Sequence, residues 1–506
     1  MNNPAESVFP RPLVDAFLAD PGAPAFEFRS QPVSRGRMVE LIRDCVAGLR
    51  AHGLGPGSAV AVTTAVTPAG FAAHMAAHLL GCRVTALRPG LTPAQLRHVL
   101  TWSPDGVIAD DTTAGPQLAE AAHPAPVLDI DRDLLAPAPL TGDELTPKGD
   151  PDAVALITLT SGSTGMPKGC AQTYGSFREH WAWNPDRHSP VIRRLGARYG
   201  RFLLFGTLTS AVMLEHLALS LYSGGTAVIP EPRAVFPEVF QEHRITACLC
   251  TVPRLYAILD DLRARDVDVS SLRALLVAGS PLPPHRLAEA VDRLGDAVLQ
   301  GYGQTETGML ALLPTEELAA HGASVLDAVG RPLPGIGLSV RGPDGTELPT
   351  GGTGEIWVRA GGQMSGYWQD EEQTREVVQD GWIRTRDLGS FGTDGFLRLV
   401  GRARDVIFVN AILYYAGAIE AALAAHPDVD QAYVVAAPDE HTGEAAHAFV
   451  VPAPGRVPAL DALRAAVRSA LGEAAIPSTI TVLDTVPVAP SGKPDKKALL
   501  ARVTAT

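Results

Sequence analysis

The run Ala153-Val154-Ala155-Leu156-Ile157-Thr158-Leu159 is apolar at nearly every position, so the strand it predicts must be buried on both faces. Such strands sit at the centre of parallel sheets covered by helices. The run feeds directly into Thr160-Ser161-Gly162-Ser163-Thr164-Gly165-Met166-Pro167-Lys168-Gly169. Its glycines let the backbone close on a ligand, while Thr160, Ser161, Ser163 and Thr164 add hydroxyls and Lys168 adds charge, which makes an oxyanion cradle at a central strand end. A Walker A loop needs Gly-Lys followed by Ser or Thr. Lys168 instead follows Pro167 and precedes Gly169, so ordinary P-loop NTPases are disfavoured. The competing reading, a surface turn of small residues, is weakened by the buried strand in front of it.

The same alternation extends along the chain. Ala59–Val62 and Gly106–Ala109 read as strands, and Arg37–His52 and Pro93–Leu100 as helices. Ala247–Val252 precedes a helix at Pro253–Arg265, and Leu272–Ala278 precedes the turn at Gly279-Ser280 and another helix. Repeated glycines separate short strands between about 330 and 400, such as Gly337–Arg341 and Gly354–Arg359. After residue 404 the pattern becomes that of a small unit: helix at Ala416–His426, strands at Gln431–Ala437 and Ala448–Val451, helix at Val457–Leu471 and strand at Thr479–Leu483. The expected fold is α/β: a large N-terminal domain of layered sheets over 1–403, with a β-rich subdomain at about 330–400, and a small α+β domain over 404–506.

Composition narrows the classes. A chain of 506 residues, 46% hydrophobic and 19% charged, is too long for one compact domain. Its net charge of −13 argues against nucleic acid as a partner but not against a small phosphate ligand. Cys45, Cys82, Cys170, Cys248 and Cys250 form neither a CxxC pair nor a zinc spacing, so they read as reduced core thiols. The segment Val60–Cys82 is interrupted by Pro68, His74 and His78, which fits a core strand and helix and not a membrane span. No basic, then apolar, leader opens the sequence, and a cytoplasmic location is expected.

Further motifs follow in order: Gln300-Gly301-Tyr302-Gly303-Gln304-Thr305-Glu306, Trp382-Ile383-Arg384-Thr385-Arg386-Asp387, Gly401-Arg402-Ala403-Arg404-Asp405 and Pro490-Ser491-Gly492-Lys493. Alone, Glu306 reads as a solvated loop acid, Asp387 as a cap, Arg402 as a surface ion-pair partner and Lys493 as a surface charge. Together with the loop they resemble the adenylate-forming superfamily of acyl-CoA synthetases, peptide-synthetase adenylation domains and luciferases, along nearly the whole chain. The resemblance implies ATP and Mg²⁺ as cofactors. It also implies that the Thr160–Lys168 loop, Gly279, Ser280 and Gln300–Gly303 bind nucleotide, that Thr305 touches the α-phosphate, and that Glu306 holds the magnesium. By the same resemblance Asp387 accepts from the ribose, Arg402 assists at ribose and phosphates, and Lys493, brought by a mobile C-terminal domain hinged at Arg404, neutralises the reacting centre. A small-molecule acid would be the substrate, and CoA or a carrier protein the acceptor.

Several positions depart from that pattern. Arg404 replaces the usual Asp or Lys of the hinge, and Ala411 stands where many thioester-forming members have Gly. Asp405–Asn410 with Tyr414-Tyr415 resembles carrier-protein-associated ligases of secondary metabolism. Phe205-Gly206 replaces the Phe-Asp that pairs the ammonium in amino-acid-activating members, so an α-amino acid is disfavoured. Phe205, Thr207, Leu208, Ala278, Gly279, Met309 and Leu310 are the acyl-pocket candidates, mostly small and apolar, and core packing is the competing reading for each. Trp181 and Trp183, with His180 between Glu179 and Trp181, read either as a pocket mouth or as packing residues, with packing preferred at such spacing, and His441 reads as a solvated turn residue. Three functions follow: an aryl or other non-α-amino acid ligase with a thiol acceptor, an AMP-forming ligase with a non-thiol acceptor such as an amine or nitrite, and a silent adenylate-binding scaffold. The intact Glu306, Asp387 and Lys493 set weighs against the last.

Overall fold

The structure is a computed structural model that describes residues 8–504 except 103, 136–144, 162–165, 232, 404, 410–411, 440 and 490–491. Among them the strands form sheets of fourteen, seven and five strands. The strand Val154–Ser161 lies in the seven-stranded sheet, parallel to Arg83–Ala86 and antiparallel to Pro167–Thr173. Ala155 and Ile157 are fully sealed, as its composition demands. The loop residues Gly162, Ser163, Thr164 and Gly165 lie outside the described residues, as do the expected hinge Arg404 and the departure Ala411.

Local signals set most of the covering helices. Pro93–Leu100 starts with a full capping box, Thr92 bonding the Gln95 amide while Gln95 returns to Thr92, with proline at the first turn. The apolar segment near Val60 divides into the strand Ala59–Thr63 and the helix Pro68–Leu79, which is buried along its whole length. Burial pushes the His74 and His78 imidazoles down to about 4 and about 3, so both pack as neutral rings. The five cysteines are free and buried. No described helix is long and apolar enough to cross a membrane.

In the largest sheet, Arg201–Leu203, Thr226–Ile229, Ala247–Thr251, Ala274–Ala278 and Val298–Gln304 run parallel. The glycine-separated strands of 330–400 do not stand apart. They join that sheet through Gly308–Leu313 and Ala328–Pro332, while Gly366–Tyr367 crosses to pair with the Pro167–Thr173 strand. The reason is hydrogen-bond accounting: each of these short strands finds its ladder partner in an existing sheet edge.

The last strand of the large sheet ends at Arg402, and the first of the five-stranded sheet begins at Val406. That smaller sheet packs on the helices Ala416–Ala424 and Leu460–Leu471 around Ile407, Ile419, Leu423, Val434, Val450 and Leu463. A final helix, Lys496–Thr504, packs beside Val435 and Phe449 through Leu499 and was not expected from the sequence.

One buried ion pair docks the two parts. Arg286, on the helix Pro284–Leu294, is 1% exposed; its Nη2 donates to Asp430 Oδ2 at 2.6 Å and its Nε lies against Oδ1. The guanidinium also donates to Glu289 and covers the Tyr256 ring. Burial pushes the Asp430 carboxyl up, but bonds from His285 and Arg286 outweigh it and hold it below the ordinary range. Its contribution to docking is therefore full above the free carboxylate pKa of about 4 and is lost as pH falls through the lower, docked value. Asp430→Ala removes the carboxylate that bonds this buried guanidinium across the two parts, while Glu289 still accepts from it, and should weaken docking by about 3 kcal/mol. Small-angle scattering should show a larger radius of gyration, and an unchanged curve would contradict this account.

Candidate active site

Lys493 sits on a tight hairpin whose Val488 and Pro494 are bridged. The Ala489 amide donates to the Lys493 carbonyl, the Gly492 amide to Ala489, and the Asp495 amide to Pro487, each at 2.8 Å. The hairpin reaches the C-terminal ends of two parallel strands, Ala247–Thr251 and Ala274–Ala278. A Cβ at Gly492 would stand 3.5 Å from Thr251, and one at Gly279 would stand 3.5 Å from the Lys493 Cε. Gly279 has φ +94°, a conformation side chains rarely adopt, so glycine both makes this turn and leaves room for the lysine. The crevice outside the carboxyl ends of parallel strands is where open α/β sheets bind ligands.

Asp387 and Arg402 face each other across paired strands, and Arg402 Nε donates to Asp387 Oδ1 at 3.1 Å. The Tyr302 hydroxyl and Gln304 Nε2 both donate to Oδ2, at 2.9 and 2.6 Å. Burial, then the Asp387 charge, pushes the Tyr302 phenol far up, which keeps it a donor. The 6%-exposed carboxylate thus already accepts three bonds out of about four available lone pairs. Any diol accepted there must share or displace one of these donors.

Glu306 and Lys168 meet through Tyr367. The Tyr367 hydroxyl donates to Glu306 Oε1 at 2.9 Å, the Lys168 ammonium lies 5.4 Å from the centre of its ring, and that ammonium donates to Gln373. Pairing of Gly366–Tyr367 with Cys170 and Ala171 brings the tyrosine there, and the Met364 amide ties the Glu306 carbonyl at 2.8 Å. Thr160 lies opposite Lys168 in the strand register, and the Cys170 thiol donates to the Thr305 carbonyl. Gly303 is pressed on the Gly308 carbonyl, while Gly301 passes over Leu276 and Met309.

Two buried atoms in this crevice have no partner: Gln300 Oε1 and Ser280 Oγ. They belong to neighbouring strand ends, with Gln300 opposite Val277 in register. Buried polar groups are nearly always bonded, so this pair fits a ligand that supplies the missing bonds, as a nucleobase would. Among the described residues no three metal-ligating side chains cluster. Glu306, one half-buried carboxylate, fits the one-acid mode in which magnesium takes its other oxygens from phosphates and water.

The acyl-pocket candidates do not all converge. Phe205 stacks edge-on with Phe236 at 5.4 Å under Arg254, and Thr207 bonds the Thr209 hydroxyl at 2.9 Å. Ala278 ends its strand beside Gly279, and Met309 lies against the Gly301 backbone. Leu208 is sealed within the main core, so it offers no surface to a ligand. Leu310 packs with Tyr302, Val340 and Ile356 in a cluster separate from that of Met309, which corrects its assignment. Gln304, Tyr367 and Gln373 were not anticipated as site residues; of these only Gln304 stood within a recognised motif.

The family model for AMP-binding enzymes matches residues 15–368, and that for the AMP-binding enzyme C-terminal domain matches 418–493. A feruloyl-CoA synthase from a Streptomyces species is 33% identical over 88% of this chain and 89% of that protein. The fatty acid–[acyl-carrier-protein] ligase ScoC of Streptomyces coeruleorubidus is 31% identical over 88% and 86%. The solved structure of the amide bond synthetase McbA from Marinactinospora thermotolerans is 31% identical and superposes with a TM-score of 0.86 over 97% of this chain and 99% of that one. The chain belongs to the AMP-binding enzyme family and is an ATP-using, AMP-forming acid ligase.

Proposed function

We propose that this ligase adenylates an aryl or other non-α-amino carboxylic acid and then passes the acyl group to a thiol, of CoA or of a carrier protein, with the two domains dividing at Arg404. The observation that carries the first step is the approach of Lys493 to Gly279 at the ends of the parallel strands, beside the unpartnered Gln300 and Ser280. A carboxylate oxygen of the acid attacks the α-phosphorus in line, the bond from that phosphorus to the bridging oxygen breaks, and pyrophosphate leaves. The Lys493 ammonium offsets the negative charge gathered where acid and α-phosphate meet. Asp387, with Tyr302, Gln304 and Arg402 around it, orients the ribose, and Lys168 faces the departing phosphates. Magnesium bound at Glu306 would supply further charge neutralisation to the phosphates.

The acid class rests on residues 205–208. Gly206, at φ +82°, offers no carboxylate for a substrate ammonium, and the neighbouring Phe205 is held under Arg254. A thiol acceptor is supported by the relatives named for CoA and acyl-carrier-protein ligation. A second reading, transfer to an amine, is supported by the likeness to a solved amide bond synthetase over nearly the full chain.

Pyrophosphate exchange with benzoates, cinnamates, fatty acids and amino acids tests the first step: exchange dependent on an aryl acid is expected, and its absence with every acid would defeat the proposal. AMP release with CoA should exceed that with simple amines; the reverse order would replace the thiol acceptor by the amine.

Lys493→Ala should lower exchange by at least about 100-fold, the usual loss for a donor serving a charged transition state. Unchanged exchange would remove the lysine from the reaction. Gln304→Leu deletes one charge-assisted bond, about 1.5–3 kcal/mol. It should raise the KM for ATP roughly tenfold or more while moving the KM for the acid far less, and equal movement of both would argue against a nucleotide-side role.

A further inference from the structure

The chemistry above leaves unused a group of polar side chains behind Gly308. Glu215, on the helix Ala211–Tyr222, and His180 are 5% and 4% exposed, with Glu215 Oε1 3.5 Å from His180 Nε2. The Ala182 amide donates to His180 Nδ1 at 3.1 Å, so the ring hydrogen sits on Nε2. Gly308 has φ +70°, and a Cβ there would stand 2.7 Å from His180 Nε2 and 3.5 Å from Glu215 Oε1. Its backbone touches the pair on one side. On the other it continues into Met309 and into the turn that carries Thr305 and Glu306.

The surroundings are short of hydrogen-bond partners. The Trp181 ring lies 5.6 Å from that of His180 and 5.7 Å from that of His216. His216 is fully buried and engages the Tyr199 hydroxyl through Nδ1 at 2.9 Å, yet its Nε2 and the Trp181 Nε1 have no partner. Among the described residues Glu215 has no hydrogen bond, only the 3.5 Å approach to His180. Orphaned buried polar atoms are few in native proteins, and several in one place beside a substrate site point to a ligand group that completes them.

Burial pushes the Glu215 carboxyl up to about 8 and the His180 imidazole down to about 4, so at neutral pH both are uncharged. A neutral carboxyl can donate and accept, and a neutral Nε2–H donates. That chemistry suits an uncharged polar group, since neither neutral side chain supplies a charge to compensate a buried cation or anion.

We propose that Glu215 and His180 are specificity-determining residues of the acid site, hydrogen-bonding an uncharged polar substituent, such as a hydroxyl or a ring nitrogen, on an aromatic acid at its end away from the carboxylate. The inference rests on the adenylation reading and narrows its substrate to polar aromatic acids. A site built to bond a polar group rejects the analogue that lacks it, because the site's own buried groups are then left unpaired.

The test is pyrophosphate exchange by the full-length enzyme with near-isosteric pairs: hydroxycinnamate against methylcinnamate, and quinoline carboxylate against naphthoate. The polar member should be preferred by roughly tenfold or more in kcat/KM for at least one pair. Glu215→Leu should abolish the preference by lowering turnover of the polar acid while sparing the apolar one, and Glu215→Gln, which keeps a neutral donor and acceptor, should retain most of it. Equal rates for both members in the wild type, a preference that survives Glu215→Leu, an equal fall for both members, or preference for an α-amino acid would each overturn the inference. Should Glu215→Leu not fold, the wild-type pairs still decide. Exchange with apolar acids alone would refute this inference and leave the adenylation reading standing. No exchange with any acid would remove both.

Discussion

The position of Lys493 depends on the buried contact between Arg286 and Asp430. The lysine hairpin belongs to a unit with its own sheet and core, and only docking brings it to Gly279 and Thr251. Arg286 meets Asp430, Glu289 and the Tyr256 face at once, so its charge is desolvated and compensated together. A buried pair of this kind adds little or no stability over a well-packed apolar contact, yet it is costly to break by halves. That asymmetry makes it a device for choosing one docked arrangement, which is what a lysine arriving from another domain requires.

The same logic of shared charge governs the nucleotide side. Asp387 is buried and holds three donors from two strands, so its carboxylate is oriented before any ligand arrives. Such preorganisation spares reorganisation when the ligand binds. Glu306 is steadied in a comparable way by Tyr367, which also lies under the Lys168 ammonium. The tyrosine thereby links Glu306 to Lys168 without bringing the two charges into direct contact, where they would neutralise each other.

Much of this was legible in the sequence, for reasons that also mark where legibility stopped. The buried strand before the loop and the helix Pro93–Leu100 are local patterns, and they form as read. Asp387, Arg402 and Lys493 could be singled out because motif order carries them. Tyr367 and Gln373 could not, since each acts through pairing with a strand about two hundred residues earlier in the chain. His180 and Glu215 were hidden for a different reason. A histidine among tryptophans and a lone acid in an apolar helix look like packing, and only the approach of Gly308 shows what they face. Leu208 and Leu310 fail as pocket residues by the reverse error: apolar character near a motif says nothing about which face of the sheet a side chain takes.

These limits separate activation of the acid from its selection. Activation is set by rigid strand ends, where Gly279, Gln300 and Asp387 hold their places through sheet pairing and buried bonds. On the adenylation reading the acid is selected beside Gly308, where His180 and Glu215, the latter on the helix Ala211–Tyr222, approach the start of the strand. A pair such as His180 and Glu215, neutral because it is buried, then discriminates by leaving its own hydrogen bonds unmade for any acid that cannot supply them.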